Sequence, residues 1–170
     1  DRLVFAGSKA KPQTYWASKS GDYYNFSVSA PQQDDDAITG TISSGQMNTI
    51  KALVTFSEML MLTSGGEFKV GGGSEAFTPT NQKAKPQEYR GINDLTPVLV
   101  GGRVVYVQHQ GSIVRDLTYS YDVDKYTGDD VSLLAAHLFD GHKLTSITYQ
   151  QTPNSIVWCT RDDGVLLGMT

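Results

Sequence analysis

The stretch LTSITYQQTPNSIVWCTRDDGVLLGMT, residues 144–170, has the pattern of three strands joined by two turns. Two apolar, β-branched runs, 156–160 and 165–169, flank the turn sequence 161–164, whose Asp-Gly pair is a strong hairpin signal. A third run, 144–150, precedes them. A single hairpin is only marginally stable in water, so this meander predicts a larger β-structure.

The same arrangement of short strands recurs along the chain. Its copies start near residues 2, 50, 97 and 144, at steps of 48, 47 and 47 residues. A period in the mid-forties with three or more strands per unit is typical of β-propeller blades. The strand RVVYVQ (103–108) has apolar residues on both faces, as a blade packed between neighbours requires. We therefore expect an all-β fold of repeated antiparallel three- to four-stranded meanders, β-propeller-like and forming a partial propeller.

The repeat also predicts the domain organisation. We expect residues 1–170 to form a single β-propeller-like domain with blade-like units near 2–28, 50–73, 97–121 and 144–170. A β-sandwich also needs many short strands, but the even spacing favours blades. Because the sequence begins without Met and both of its ends read as strands, we expect a fragment of a longer chain or a processed product.

The opening unit is a looser copy than the other three. In the opening unit, strands are expected at 14–18 and 23–26 after a short initial strand. In the second unit a tight break at Ser57-Glu58 separates the first two strands. Polar segments with Gly and Pro, 27–45 and 71–93, are expected to be connectors.

One segment, residues 128–141, departs from the β pattern. Its apolar residues follow the i, i+3, i+4, i+7, i+8 spacing of one helical face: Val131, Leu134, Ala135, Leu138 and Phe139. We expect a short amphipathic helix near 130–139 that packs on the strands between the third and fourth units. Asp129 or Asp130 would cap its start, and Gly141 would end it.

Composition and charge exclude several function classes. The chain has 39% hydrophobic and 19% charged residues, which suits a folded protein better than a disordered one. The net charge of −4 argues against a nucleic-acid-gripping surface, and Lys9, Lys11 and Lys19 are too few to form one. No apolar run approaches the roughly 20 residues of a membrane span. The single cysteine, Cys159, is expected to be a packed, inert thiol.

The histidines and a possible triad give little support for catalysis. His109, His137 and His142 lack the spacing of a zinc site, so plain structural roles are expected. Ser132, His137 and Asp140 have the residue types of a hydrolytic triad. Ser132 and His137, however, would lie about 140° apart around one short helix and would not converge.

Two further segments only partly match known ligand loops. Asp122 and Asp124 begin a stretch like a calcium loop, but its twelfth position is Leu133 instead of Glu. A weak calcium site near Asp122, Asp124 and Asp129 remains an alternative to a solvated connector. The triple glycine at 71–73 lacks the following Lys-Ser/Thr of a phosphate-binding loop.

The remaining candidates are aromatic residues and a pair of turn carboxylates. Five aromatic side chains could stack on sugars or pack in the core: Tyr15, Trp16, Tyr23, Tyr24 and Tyr126. Asp162 and Asp163 are expected to shape a turn and not to act in catalysis. We therefore predict no enzyme activity, no catalytic, cofactor-binding or metal-binding residues, and no cofactor.

In combination, five segments resemble the tail nozzle (tail tubular) proteins of podoviruses, a family of short-tailed phage and prophage structural proteins. The segments are 2–26, GGEFKV (65–70), GGRVVYVQHQGSIVRDLTY (101–119), DVSLLAAHLF (130–139) and PNSIVWCTRDDGVLLGMT (153–170). Phe68 stands where that pattern has Trp, a conservative difference that leaves the strand prediction intact.

The resemblance implies a structural component of a phage or prophage tail. Such a protein would form part of an oligomeric ring for DNA passage, with copies of itself and other tail proteins as partners and no specific nucleic-acid binding. It would be made in the bacterial host cytoplasm and reside in the virion tail. The residues themselves leave one alternative, a carbohydrate-binding β-propeller or lectin-like receptor-recognition module that uses the tyrosines and Trp16.

Overall fold

The computed structural model describes every residue except Gln46 and Ser57, and it shows an all-β chain with almost no helix. The contacts divide the chain into two compact units, Asp1–Pro86 and Gln87–Thr170. The predicted break at Ser57 lies outside the described residues.

The first unit is built from two antiparallel sheets in which consecutive strands are neighbours. The three-stranded sheet consists of β1 (Val4–Ala6), β2 (Thr14–Ala17) and β3 (Ile38–Thr41). The four-stranded sheet consists of β4 (Ile50–Thr55), β5 (Met59–Thr63), β6 (Glu67–Gly71) and β7 (Lys83–Glu88). Both sheets are therefore meanders, as the sequence repeat predicts.

The second unit also contains a four-stranded and a three-stranded antiparallel sheet. The four-stranded sheet consists of β8 (Val98–Val100), β9 (Arg103–Val107), β10 (Val114–Ser120) and β11 (Lys125–Thr127). The three-stranded sheet consists of β12 (Leu144–Gln150), β13 (Ile156–Arg161) and β14 (Leu166–Met169). A 3₁₀ helix, Leu133–Leu138, lies between the two sheets in the sequence.

Each unit has its own hydrophobic core, to which both of its sheets contribute. The first core contains Tyr15, Ala17, Ile38, Ile42, Ile50, Met61, Phe68 and Val70. The second contains Val105, Val107, Val114, Leu144, Val157 and Cys159. Burying one large aliphatic side chain contributes roughly 1.5–3 kcal/mol, so these shared cores are what make the small sheets stable.

The closing meander is confirmed throughout. Thr160 pairs with Leu166 at the start of the β13–β14 ladder. In the turn, the Gly164 N–H donates to the Arg161 carbonyl at 3.0 Å, and Gly164 has φ +87°, a conformation that favours glycine. The Asp-Gly pair therefore forms the predicted hairpin.

The prediction of a strand over residues 23–26 is wrong, because the third strand of the opening sheet is Ile38–Thr41. The Lys19 N–H donates to the Asn25 carbonyl at 2.8 Å, and the Asn25 N–H donates to the Asp22 carbonyl at 3.3 Å. These local bonds place Tyr23 and Tyr24 in a turn. The aromatic composition that suggested a strand belongs to exposed side chains instead, those of Tyr23, Tyr24 and Phe26.

Three strands lie in segments that the sequence predicted as connectors. All three are the last strands of their sheets: β3, with the sequence ITGT, β7, with the sequence KAKPQE, and β11, with the sequence KYT. Lysine and proline, as in β7, are common on edge strands because they hinder pairing with another chain. Each of the three carries at most two apolar side chains, too few for the alternation on which sequence analysis relies, so none was predicted.

The amphipathic helix predicted near 130–139 is present only as the short 3₁₀ helix Leu133–Leu138. Ala135, with φ −117° and ψ 23°, interrupts its helical geometry, and none of its residues is buried. Leu134, expected on the packed face, is 97% exposed. Phe139, just after the helix, packs on the core of the second unit. The helical spacing of apolar residues was read correctly, but the predicted packing is wrong.

The connector between β2 and β3 is held by the buried carboxylate of Asp36. It accepts hydrogen bonds from the Ser29 and Gln33 N–H groups at 2.9 and 2.8 Å. Lys19 Nζ lies 2.8 Å from Asp36 Oδ1. The Gln33 N–H, followed by Lys19, holds the pKa of Asp36 well below its usual range. Arg2 fastens the same connector by donating to the Asp36 carbonyl at 2.6 Å.

We expect Asp36→Asn to lower the thermal unfolding midpoint at neutral pH, because an amide places an NH₂ group against donors and cannot pair with Lys19. Because the pKa of Asp36 is lower in the folded state, its ionised carboxylate stabilises the folded protein at every pH above the ordinary Asp pKa of about 3.9. This contribution is lost as the pH falls toward the pKa of Asp36 in the folded protein. Circular-dichroism melts should show the difference between variant and parent shrinking below about pH 4. Asp34→Asn, at an exposed neighbour with the same charge change, is the control. Equal losses in both variants would contradict this role.

We expect Leu134→Ala to change the free energy of unfolding by less than about 0.5 kcal/mol, because the side chain is almost fully exposed. The matched variant Leu117→Ala removes a fully buried side chain from β10 and should cost about 2–5 kcal/mol. Urea unfolding of both variants checks this difference. A large loss for Leu134→Ala would show that the 3₁₀ segment packs as the sequence predicted.

Candidate functional site

The structure brings together His142, Asp162 and Asp163, which the sequence analysis treated separately as a structural residue and a turn. One potential ligand atom from each lies within 4.8 Å of the others. His142 Nδ1 is 3.0 Å from Asp162 Oδ1, and because an ionised carboxylate only accepts, Nδ1 carries the proton. This hydrogen bond is the main cause of the lowered pKa of Asp162. The cluster could not be found from spacing, because its members are 20 residues apart and meet only across the folded sheet.

An arginine in the same cluster makes it a poor metal site. Arg161 Nε donates to Asp163 Oδ1 at 3.0 Å, and Arg161 Nη2 contacts the other carboxylate oxygen. This guanidinium holds the pKa of Asp163 well below its usual range. Arg161 Nη1 also donates to the Leu138 carbonyl at 2.6 Å. Both Asp163 oxygens therefore already face a cation, and the cluster fastens the hairpin turn to the end of the 3₁₀ helix.

The residue types of a hydrolytic triad line one cavity but do not form a triad. Ser132, His137 and Asp140 surround a space of about 360 Å³. The Ser132 hydroxyl donates to Asp130 Oδ1 at 2.6 Å and accepts from the Val114 N–H at 3.2 Å. The hydroxyl is therefore directed to a carboxylate and the backbone, not to His137. Ser132 joins the 3₁₀ segment to strand β10, which is a structural role.

The weak calcium site that the sequence left as an alternative to a solvated connector gains no support from the positions of its carboxylates. Asp122, Asp124 and Asp129 are not among the carboxylates that converge within the part of the chain that the structure describes. Asp124 Oδ1 accepts the Tyr119 hydroxyl at 2.5 Å in the β10–β11 turn. The Asp129 N–H donates to the carboxylate of Asp116 at 2.8 Å. These residues shape a hairpin and its following connector.

The triple glycine lines a second cavity, of about 510 Å³. Residues 71–73 share this cavity with Asp1, Glu58 and Glu75. Arg2 also lines the cavity, but three carboxylates outnumber this one guanidinium, so the balance of charge does not favour a phosphate site. A Cβ on Gly72 would lie 2.4 Å from two backbone carbonyl oxygens, which explains the glycine as a packing requirement.

The five aromatic candidates separate into buried and exposed residues. Tyr15 is 2% exposed, donates its hydroxyl to Gln82 at 2.8 Å, and has its pKa raised to about 12 by burial. Tyr126 is 3% exposed. Tyr23 and Tyr24 are 45% and 94% exposed, while Trp16 is half-buried. Tyr15 and Tyr126 are therefore core residues, and of the tyrosines proposed for sugar stacking only Tyr23 and Tyr24 are accessible.

The remaining predictions concern Cys159, the group of three lysines and His109. Cys159 is buried in the second core, and burial raises the pKa of its thiol to about 11, so the prediction of an inert thiol agrees with its surroundings. Lys19 is paired with Asp36, which leaves Lys9 and Lys11 as the exposed members of the predicted basic group. His109 is an exposed turn residue, as its sequence context indicated.

In a comparison with protein-family models, residues 12–164 match the bacteriophage nozzle protein family. The chain belongs to this family. The match runs from β2 through β13 and so covers strands from all four sheets. The resemblance found in the sequence is thereby confirmed. No curated protein matches the chain in a sequence search.

Membership of this family agrees with the polar contacts described above, which hold turns and connectors in place. Nozzle proteins are bacteriophage structural proteins and are not known as enzymes. The family thus indicates a structural role in a phage tail and assembly with other phage proteins. Among the residues that the structure describes, no helical segment is long and apolar enough to cross a lipid bilayer.

Proposed function

We propose that this chain is a building block of the nozzle or tail tube of a phage or prophage virion, where it forms part of an oligomeric ring for DNA passage. The observation that carries the proposal is the family match over residues 12–164. The protein would be made in the bacterial host cytoplasm and would then assemble with copies of itself and other tail proteins.

Within this proposal the four sheets act as blades of a partial propeller belonging to a longer chain. The predicted units near 2–28, 50–73, 97–121 and 144–170 each contain the first two strands of one sheet, while the first three sheets extend further, to Thr41, Glu88 and Thr127. Four meanders in chain order, whose first strands start at residues 4, 50, 98 and 144, support this organisation. Propeller blades contact their neighbours on both faces, which suits strands such as β9 that carry buried residues on both faces.

The charge of the chain suits a conduit for DNA. A duplex carries one negative charge per roughly 1.7 Å of its length, so a basic wall would bind it and slow its passage. The net charge of −4 instead repels phosphate. Of the cations that could form a basic group in the first unit, Lys19 is paired with Asp36 and Arg2 donates to backbone carbonyls.

The proposal predicts that the protein is a stoichiometric part of assembled particles. After phage or prophage induction, particles are purified on a density gradient, and their tryptic peptides are identified by mass spectrometry. Peptides from this chain should be enriched with known tail proteins, and antibodies against residues 1–170 should label the tail in electron micrographs. An abundant host cytoplasmic protein, absent from the gradient band, is the control. Particles that lack these peptides, or labelling of the head only, would overturn the assignment.

The second candidate is receptor glycan recognition, and the exposure of Tyr23 and Tyr24 is what favours it. Aromatic rings on a surface can stack on the apolar face of a sugar. On a glycan array the purified chain should then bind saturably, and Tyr24→Ala should abolish binding without altering its circular-dichroism spectrum. Tyr121→Ala, at a tyrosine of similar exposure in the second unit, is the matched control. Absence of binding by the parent chain would remove this candidate.

A further inference from the structure

The chain contains two Asp-Gly pairs, Asp140-Gly141 and Asp163-Gly164, whose surroundings differ. In an Asp-Gly pair the Asp side chain can react with the backbone nitrogen that follows it. Glycine favours this reaction because it has no Cβ to hinder the approach and its backbone is permissive. Both pairs lie in the second unit, one just after the 3₁₀ helix and the other in the turn between β13 and β14. They can therefore be compared within one protein.

The reaction is the isomerisation of aspartate. The glycine nitrogen forms a bond to Cγ of the Asp side chain, and the N–H proton leaves with the OH of the protonated carboxyl as water. The cyclic succinimide that results is opened again by water. Opening at the main-chain carbonyl leaves the backbone running through the former side chain, which is isoaspartate. One water is lost and one is gained, so the reaction needs no oxidant, reductant or other reactant.

Asp140 lies in a turn where nothing restrains the reacting groups. Asp140 and Gly141 are both exposed, and a Cβ on Gly141 would meet no atom within 4 Å. Within the described part of the chain, neither the Asp140 carboxylate nor the Gly141 N–H makes a hydrogen bond. Both residues line the cavity of about 360 Å³ described above. The side chain therefore has room to rotate toward the nitrogen that would attack it.

Asp163, in contrast, is held by the hairpin turn. Arg161 Nε donates to its Oδ1 at 3.0 Å, Arg161 Nη2 contacts its Oδ2, and the Val165 N–H donates to Oδ1 at 3.2 Å. The Gly164 N–H, on the nitrogen that would attack, donates to the Arg161 carbonyl at 3.0 Å. The Arg161 guanidinium also holds the pKa of Asp163 well below its usual range, which lowers the fraction of protonated carboxyl.

The backbone conformation does not distinguish the two pairs, because Gly141 has φ +74° and Gly164 has φ +87°. The hydrogen bonds do. A bonded N–H must be released before its nitrogen can react, as it must before its hydrogen can exchange. Releasing one backbone bond and a charge-assisted side-chain bond should slow the reaction about tenfold or more.

We propose that Asp140 is a site of spontaneous isomerisation to isoaspartate in the folded protein, and that the hydrogen bonds of the hairpin turn protect Asp163 from the same reaction. The proposal compares two turns of the second unit and does not depend on the proposed tail function. It assigns Asp140 a covalent modification instead of a place in the hydrolytic triad that its residue type suggested.

Isomerisation at Asp140 would act on the contacts between the 3₁₀ segment and the closing hairpin. Arg161 Nη1 binds the Leu138 carbonyl before this position, and the His142 N–H donates to the Phe139 carbonyl at 3.1 Å across it. Isoaspartate adds a methylene to the main chain between these points, so the turn must change its shape. A protein in an assembled particle is not replaced after synthesis, so the change would accumulate there; this consequence alone rests on the proposed function.

Ageing of the purified full chain tests the proposal. The protein is incubated for weeks at about pH 6, where a small fraction of an ordinary Asp side chain, with a pKa of about 3.9, is protonated. Trypsin separates the two pairs into the peptides 126–143 and 162–170. Isoaspartate is located in each peptide by liquid chromatography with electron-transfer fragmentation, and its total is measured by methylation with protein isoaspartyl methyltransferase. We expect about tenfold or more isoaspartate at residue 140 than at residue 163.

Three controls separate the effect of the fold from that of the local sequence. In concentrated urea the protecting bonds are absent, so both pairs should form isoaspartate in similar amounts. Arg161→Gln, checked for folding by circular dichroism, should raise the amount at residue 163. Asp140→Glu, whose longer side chain closes such a ring far less readily, should give no signal at residue 140. Similar amounts at both sites in the folded protein, none at residue 140, an unchanged amount at residue 163 in Arg161→Gln, or a difference that persists in urea would overturn the proposal.

Discussion

The packing of two small sheets into one core is the constraint on which each unit of this protein depends. A three- or four-stranded meander cannot cover its own apolar faces, and an isolated hairpin is marginal in water. In the first unit Tyr15 and Ile38 of one sheet share a core with Met61 and Phe68 of the other. Separating the two sheets would expose the apolar face of each to water. Each pair of sheets should therefore fold as one cooperative element.

This arrangement requires the connectors to be held in place, and each unit does so with a buried aspartate. Asp36 secures the β2–β3 connector, and Asp116, 4% exposed, accepts from the Asp129 N–H and pairs with Arg103 at 2.5 Å. A buried carboxylate is costly unless it is paired and hydrogen-bonded. Gly128 is required beside Asp116, because a Cβ there would lie 1.7 Å from the Asp116 carbonyl oxygen. Paired carboxylates of this kind determine where the chain turns more than they add to net stability.

Local patterns predicted the strands with several apolar residues and missed short strands with one or none, even where that one is buried, as Ile38 of β3 and Tyr126 of β11 are. The meander at 144–170 could be predicted because alternation, turn chemistry and an Asp-Gly pair agree with its tertiary pairing. The polar edge strands β7 and β11 carry no such signal, and the helical spacing at 130–139 was not matched by a surface on which to pack. The contacts among His142, Asp162 and Asp163 depend on long-range register, which no spacing rule contains.

The polar groups considered for chemistry turn out to be engaged in holding turns and connectors. Ser132 is bonded to Asp130, and Asp163 to Arg161. Polar side chains that are used in this way leave the exposed apolar and aromatic side chains as the groups that can meet a partner. Leu134, 97% exposed, and Tyr24, 94% exposed, are side chains of that type. For this member of the nozzle family, the surfaces to examine for function are therefore exposed apolar side chains more than cavities.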